Sequence, residues 1–242
     1  MPTPLRWRPA RLVERAAETP TATSLVFELD GWTGHLAGQH VDVRLTADDG
    51  YRAQRSYSLA APADGNRVVL TVQLLADGEV SPFLAEQLQV GDELEVRGPL
   101  GGWFVWRPEQ LEVVLLVAGG SGVVPLMAMA RARAQAGSRA PFRLVYSVRT
   151  EAEVYYRDEL RRRLRDDQGL DVTLLYTRAA PEGTARPARR IDATDLARFG
   201  WPAELEPSCF VCGSTPFVET VADLLVAAGH DPDRIHTERY GG

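Results

Sequence analysis

Lysine is absent from this chain: all 27 basic side chains are arginines, set against 33 carboxylates. An arginine-only basic set suits bidentate phosphate recognition, although a compositional bias of the genome explains it more simply. The net charge of −6 and isoelectric point near 5.3 set nucleic acid aside as the main partner, because phosphate backbones are held by basic surfaces. Cysteine is scarce. Cys209 and Cys212 are the only two, too few for a disulfide framework, so a reducing, cytoplasmic location is expected. They form a C-x-x-C pair, but a zinc or iron–sulfur site needs about four ligands, and no second pair accompanies them. No metal is therefore expected. His35, His40, His230 and His236 show no ligand spacing. No apolar run approaches the roughly 20 residues that cross a bilayer, and residues 1–6 lack the basic stretch and apolar core of a signal peptide.

What is present fits one large domain or two small ones: 242 residues, 45% of them hydrophobic, enough for real cores. The first hundred residues predict short strands over 24–29, 39–45, 54–59, 67–75 and 93–97. Breakers at Asp49-Gly50, Asp64-Gly65-Asn66 and Val90-Gly91-Asp92 separate them, as in a small antiparallel barrel. Ser81-Pro82 reads as a helix start, serine as the N-cap and proline at the first helical position. After residue 102 the texture changes. Residues 113–117 form a continuous apolar run, typical of a parallel strand covered on both faces. Helices over 125–136, 155–165 and 216–228 then alternate with strands over 142–147, 171–176 and 208–211. That alternation predicts a doubly wound parallel sheet. The expected division is 1–107 and 108–242, with 183–190 as a long, mobile loop and Arg161-Arg162-Arg163 as a solvated helix face.

Four segments carry candidate chemistry. Arg55-Ser56-Tyr57-Ser58 offers a cation for a pyrophosphate, an aromatic face and hydroxyls for a heteroatom; an ordinary solvated strand would read the same way. Gly119-Gly120-Ser121-Gly122-Val123-Val124-Pro125 joins a strand to a helix, and the helix start presents free N–H groups to an anion. Its spacing is not G-x-G-x-x-G, and a tight turn without a ligand accounts for it too. Gly78-Glu79-Val80-Ser81 is a second turn before a helix, equally explained as a cap. Cys212-Gly213 ends a late strand, where open sheets bind ligands.

In this order the segments resemble the ferredoxin–NADP(+) reductase family of flavoproteins. Gly38-Gln39, Arg55 to Ser58, Gly78 to Ser81, Gly98-Pro99 with Gly101, Gly119 to Pro125, Cys212-Gly213 and Glu238 to Gly241 correspond to its motifs, over residues 10–242. The resemblance implies an FAD-binding antiparallel β-barrel followed by an NAD(P)-binding α/β domain with a doubly wound parallel sheet. By that resemblance Arg55 holds the FAD pyrophosphate, Ser56 belongs to the same cofactor-binding motif and Tyr57 packs on the flavin. Ser58 sits near its N5, and Gln73, Leu74, Gly78, Val80 and Ser81 line the flavin's site. Gly119, Gly120, Gly122 and Pro125 let the dinucleotide approach. Cys212, Gly213 and Glu238 stand near the nicotinamide, and Tyr240 shields the ring. Two glycines follow Tyr240, unlike plastid members, where the aromatic ends the chain.

Ser147 with Arg149 and Thr177 with Arg178 end two strands where a ribose phosphate would be read, which favours NADPH, with NADH as the alternative. The expected activity is FAD-dependent NAD(P)H oxidoreduction, with Ser58, Cys212, Glu238 and Tyr240 at the reacting centre. No plant-type iron–sulfur spacing is present, so the acceptor would be a separate ferredoxin-like protein or oxidoreductase. Two alternatives are a free-flavin or small-molecule reductase and a non-catalytic flavin-bearing subunit.

Overall fold

A computed structural model describes residues 5–47 and 49–240; Gly241 and Gly242, which follow Tyr240, lie outside them. The first half is one six-stranded antiparallel sheet, β1 (Trp7–Thr19), β2 (Ala22–Glu28), β3 (His40–Thr46), β4 (Arg52–Ser58), β5 (Arg67–Gln73) and β6 (Glu93–Leu100). The order β4-β3-β6-β1-β2-β5 curls round until a Leu59–Leu70 bridge brings the two edges together. Alternate inward residues such as Leu12, Leu25, Phe27, Val41, Val43 and Val68 fill the interior, as period-two strands require. β1 is absent from the sequence reading because only Ala10 and Leu12 of its thirteen residues face the core. It is a strand because β2 and β6 hydrogen-bond it from both sides.

Ser81 corrects an expectation. The segment Phe83–Gln87 is one wide helical turn whose N-cap is Pro82, without a side-chain cap. The Ser81 hydroxyl accepts from the Leu75 amide at 3.1 Å instead, bracing the turn 75–81.

The second half is a five-stranded parallel sheet, ordered β11-β10-β7-β8-β9: β7 (Val114–Gly119), β8 (Phe142–Val148), β9 (Leu170–Tyr176), β10 (Ser208–Ser214) and β11 (Ile235–Tyr240). Helices α1 (Val123–Gln135), α2 (Arg157–Asp166), α3 (Ala193–Phe199) and α4 (Thr215–Ala227) cover its faces, with one apolar cluster on each side. α3 and β11 escape the sequence reading; β11 buries only Ile235 fully and forms by parallel pairing with β10. The chain order reverses between β7 and β10, and that switch point is where open sheets accept ligands.

α1 is buried almost all round because the barrel covers the side away from the sheet. Gly38 (φ +100) abuts the Phe104 carbonyl and Met129, so closely that a Cβ there would lie 2.0 Å from that oxygen. Arg131 of α1 pairs with Glu159 and donates to the Ala60 carbonyl of the barrel at 2.5 Å. Tyr156, left-handed at φ 55, donates its hydroxyl to Thr71. Arg161 and Arg162 are exposed on α2 as expected, Arg161 pairing with Glu151 at the surface, whereas Arg163 is half-buried and pairs with Glu159.

Candidate functional site

Three strand ends from the parallel sheet meet one from the barrel. Parallel register sets Ala118, Cys212 and Glu238 abreast at the ends of β7, β10 and β11. Ser58, last in β4, donates its hydroxyl to Glu238 Oε1 at 3.3 Å across the two halves. Burial pushes the Glu238 carboxyl up to about 7, with the Ser58 hydrogen bond pulling the other way. Burial, reinforced by the Glu238 charge, also drives the Cys212 thiol far up, so Cys212 is a neutral thiol.

Two positions on the sheet side need glycine. Gly120 is left-handed at φ +55, and a Cβ on Gly122 would lie 2.2 Å from the Cys212 carbonyl oxygen. That approach locks the β7–α1 turn against the end of β10. Tyr240 crosses above, its hydroxyl donating to the Gly119 carbonyl at 2.5 Å. Around these lies a cavity of about 630 Å³ whose wall includes Gly119, Gly120, Ser121, Ser214 and Tyr240, with Gln73 and Leu75 from the barrel. Ser147, Arg149, Thr177 and Arg190 complete its far end.

On the barrel side Arg55 and Tyr57 point to one face of β4. Arg55 is exposed and pairs with Glu79 at 2.9 Å, and Tyr51 donates to the same carboxylate at 2.7 Å. Burial raises the Tyr57 phenol to about 12, opposed by the Arg55 charge, so it stays neutral. Ser56 turns the other way and donates to Asp42, which Arg97 also holds; its hydroxyl belongs to that network.

The residues singled out in the sequence fall into three groups. Gln73, Gly119, Gly120, Ser147, Arg149, Thr177 and Tyr240 border the cavity. Gly122, Pro125, Cys212 and Gly213 are buried beneath it. Arg55, Ser56, Tyr57, Ser58, Leu74, Gly78, Val80, Ser81 and Glu238 lie outside its wall, and so does Arg178, which is exposed. The cavity's second guanidinium is Arg190, which sequence reasoning passed over. The signal was present: Ile191 breaks a polar stretch just before Asp192-x-x-Asp195, a helix-start pattern.

The cleft suits a dinucleotide. It joins the N-terminal end of a long helix, hydroxyls and two guanidiniums, an anion-binding set. Glu238 Oε2 is buried without a hydrogen-bond partner, an unmet acceptor at the point where β4 faces the sheet. The paired Arg55 and Tyr57 face likewise suits a flavin carrying a pyrophosphate.

Comparison with known proteins agrees. Residues 9–105 match the oxidoreductase FAD-binding domain and residues 116–223 the oxidoreductase NAD-binding domain. The chain is 32% identical over 206 residues to a glycine betaine monooxygenase reductase subunit of Chromohalobacter salexigens, covering 84% of this chain and 55% of the relative. It is 32% identical to ferredoxin–NADP reductase B of Sorangium cellulosum, over 96% of both chains. A cytochrome P450 reductase from Amycolatopsis superposes with a TM-score of 0.84 at 25% identity, over 98% of this chain and 70% of that one. The chain spans little more than half the length of some curated relatives, 55% of the betaine enzyme's subunit and 59% of a Deinococcus radiodurans flavohemoprotein. With both domains matched and a full-length relative above 30% identity, the chain belongs to the ferredoxin–NADP(+) reductase family of FAD- and NAD(P)-binding oxidoreductases.

Proposed function

We propose that this chain takes hydride from NADPH and passes the electrons to a separate acceptor protein, a ferredoxin-like carrier or an oxygenase partner, with 1–107 holding FAD and 108–242 the dinucleotide. The observation that carries this reading is the Ser58–Glu238 contact, which joins the barrel to the strand ends of the nucleotide half. Monooxygenase and dioxygenase reductase components among the relatives support the acceptor class.

FAD, when bound, supplies the exchange between hydride and single electrons. The protein's share is alignment and exclusion of water. Arg55 would grip the flavin's pyrophosphate, trading part of its bond to Glu79, and neutral Tyr57 would pack on the ring. Ser58 and Glu238 would share a proton beside it, since a carboxyl near 7 both donates and accepts at neutral pH. Neutral Cys212 keeps the floor uncharged. Tyr240 would release the Gly119 carbonyl and turn aside as the nicotinamide enters.

Anaerobic stopped-flow absorbance tests this directly. Mixing with NADPH should bleach the bound flavin near 450 nm (roughly where oxidised flavins absorb), faster than NADH does. A flavin that stays oxidised with both donors would refute the proposal. Arg55→Ala should weaken FAD binding by about 10- to 100-fold, or roughly 1.4–2.8 kcal/mol, because Glu79 is left facing the pyrophosphate. Gel filtration should then strip the flavin; a full complement of FAD would remove Arg55 from the site.

A further inference from the structure

Tyr156, at the start of α2, is bonded into both halves of the protein. It is 4% exposed and left-handed at φ 55, a conformation that a bulky side chain keeps only where its surroundings over-determine it. Its carbonyl accepts from the Leu160 amide at 2.8 Å and so opens α2. Its other two polar groups go to the barrel: the amide donates to Glu18 Oε2 at 3.3 Å and the phenol to Thr71 Oγ1 at 2.5 Å. The Thr71 and Ser24 hydroxyls lie 2.8 Å apart, and Ser24 donates to Glu18 Oε1 at 2.6 Å. A carboxylate only accepts, which fixes the direction of every bond: phenol to Thr71, Thr71 to Ser24, Ser24 to Glu18. The ring closes where Glu18 takes the Tyr156 amide. Arg131 stacks on the Tyr156 ring at 4.4 Å, bonded meanwhile to Ala60 of the barrel and Glu159 of α2.

This ring ties together the two parts of the chain that wall the cavity. From the nucleotide half, Glu153 and Tyr155 line it, and Tyr155 directly precedes the ring. From the barrel, Thr21, Gln73 and Leu75 line it. Thr21 joins the strand of Glu18 to the strand of Ser24, and Gln73 follows Thr71 by two residues in β5, on the same face of that strand. Burial raises the Tyr156 phenol far above the usual tyrosine range, opposed by the Arg131 charge, so it keeps the proton it donates. A buried polar network whose members are all satisfied is rigid and specifies one arrangement. With its carbonyl, amide and phenol all engaged, Tyr156 has no polar group left for a ligand.

We propose that Tyr156 is a positioning residue for hydride transfer: bonded to Glu18 and Thr71 of the barrel, it sets the spacing of the cavity's two walls. That spacing governs how a nicotinamide held by one half approaches a flavin held by the other. Transfer is steep in geometry, since a misplacement of about 1 Å costs up to about 100-fold in rate. Binding is less sensitive, because each half carries its own contacts to its own ligand. This rests on the reading of the barrel as the FAD domain and of the cavity as the dinucleotide site.

Tyr156→Phe deletes one hydroxyl and keeps the ring under Arg131. The FAD-loaded variant should retain the native flavin-to-protein ratio and bind NADP(+) within about twofold of native affinity in calorimetric titration. The limiting rate of flavin reduction at saturating NADPH should fall about tenfold or more. The long-wavelength absorbance produced by NADP(+) stacked on the flavin should fall with it. Thr71→Val should reproduce these losses, and combining it with Tyr156→Phe should add little, since both break one ring. Thr71→Ser, which keeps the hydroxyl, should recover most of the rate. A native limiting rate in Tyr156→Phe, a loss of NADP(+) affinity as large as the loss of rate, release of the flavin, or a Thr71→Ser variant as slow as Thr71→Val would each overturn the proposal. If Tyr156→Phe does not fold, Thr71→Val against Thr71→Ser decides it on the same rate. If neither NADPH nor NADH bleaches the native flavin, the functional reading falls first and takes this inference with it. Bleaching at equal rates in the native protein and the variants would sink the inference alone.

Discussion

Gly122→Ala should cut nucleotide-driven flavin reduction by about 100-fold or more while leaving FAD bound. A Cβ at this position lies 2.2 Å from the Cys212 carbonyl oxygen and 2.8 Å from the Gly213 amide nitrogen. Both opposing atoms are backbone, so no side-chain rotation relieves the clash, and the β7–α1 turn must separate from the end of β10. Overpacking of this kind costs about 1–3 kcal/mol, a fall in Tm of roughly 2–12 °C at this chain length. The loss in rate would exceed the loss in stability, because displacement of the turn moves the α1 N-terminus, Tyr240's acceptor Gly119 and the Cys212 floor together. Stopped-flow reduction combined with the flavin-to-protein ratio separates the two effects. Gly102→Ala, whose Cβ would meet nothing within 4 Å, serves as the silent control. Native reduction kinetics in Gly122→Ala would show that the switch-point turn is not where the nucleotide sits.

That turn was legible in the sequence as three glycines and a serine after an apolar strand. What each glycine does was not. Gly120 answers to its φ of +55 and Gly122 to the neighbouring carbonyl, a contact between residues 90 positions apart. The same limit explains β1 and β11. Each forms by pairing, β1 with adjacent β2 and distant β6 and β11 with β10, and neither carries an alternating apolar pattern of its own. Buried central strands such as β7 announce themselves because both faces are covered, so every residue is apolar. At the site, Thr177 borders the cavity, Arg178 does not, and the guanidinium that does, Arg190, lies further along the loop. A side chain just after a strand can turn either way, and Arg190 lines the cavity from a loop whose Arg186 and Arg189 bond Asp195 of a helix. Ser81 failed for a related reason: its composition suits a cap, and the Leu75 amide claims its hydroxyl first.

Glu238→Gln should change both the stability and the chemistry of the protein in a pH-dependent way. Burial raises the Glu238 carboxyl from 4.5 to about 7, so the folded protein holds a proton there that the unfolded chain has released. The sign follows from proton counts. Below about 4.5 both states are protonated and Glu238 costs nothing. Between 4.5 and 7 the folded state binds more protons than the unfolded, and stability falls as pH rises. Above 7 both are ionised and the full penalty stands, about 3 kcal/mol at most. Glutamine carries no such penalty. The variant should therefore melt up to roughly 6–12 °C above the native protein at pH 8, the gap closing towards pH 4.5, in calorimetry of the flavin-free protein. A gap independent of pH would mean that Glu238 ionises like a surface carboxylate. Flavin reduction should respond oppositely. Glutamine keeps a polar partner for Ser58 but cannot gain or lose a proton, so the rate should drop about tenfold or more near neutral pH and its pH profile should flatten around 7. A half-buried carboxyl held at this cost, with one oxygen on Ser58 and the other unpartnered, is what the proposed proton-handling role of Glu238 predicts.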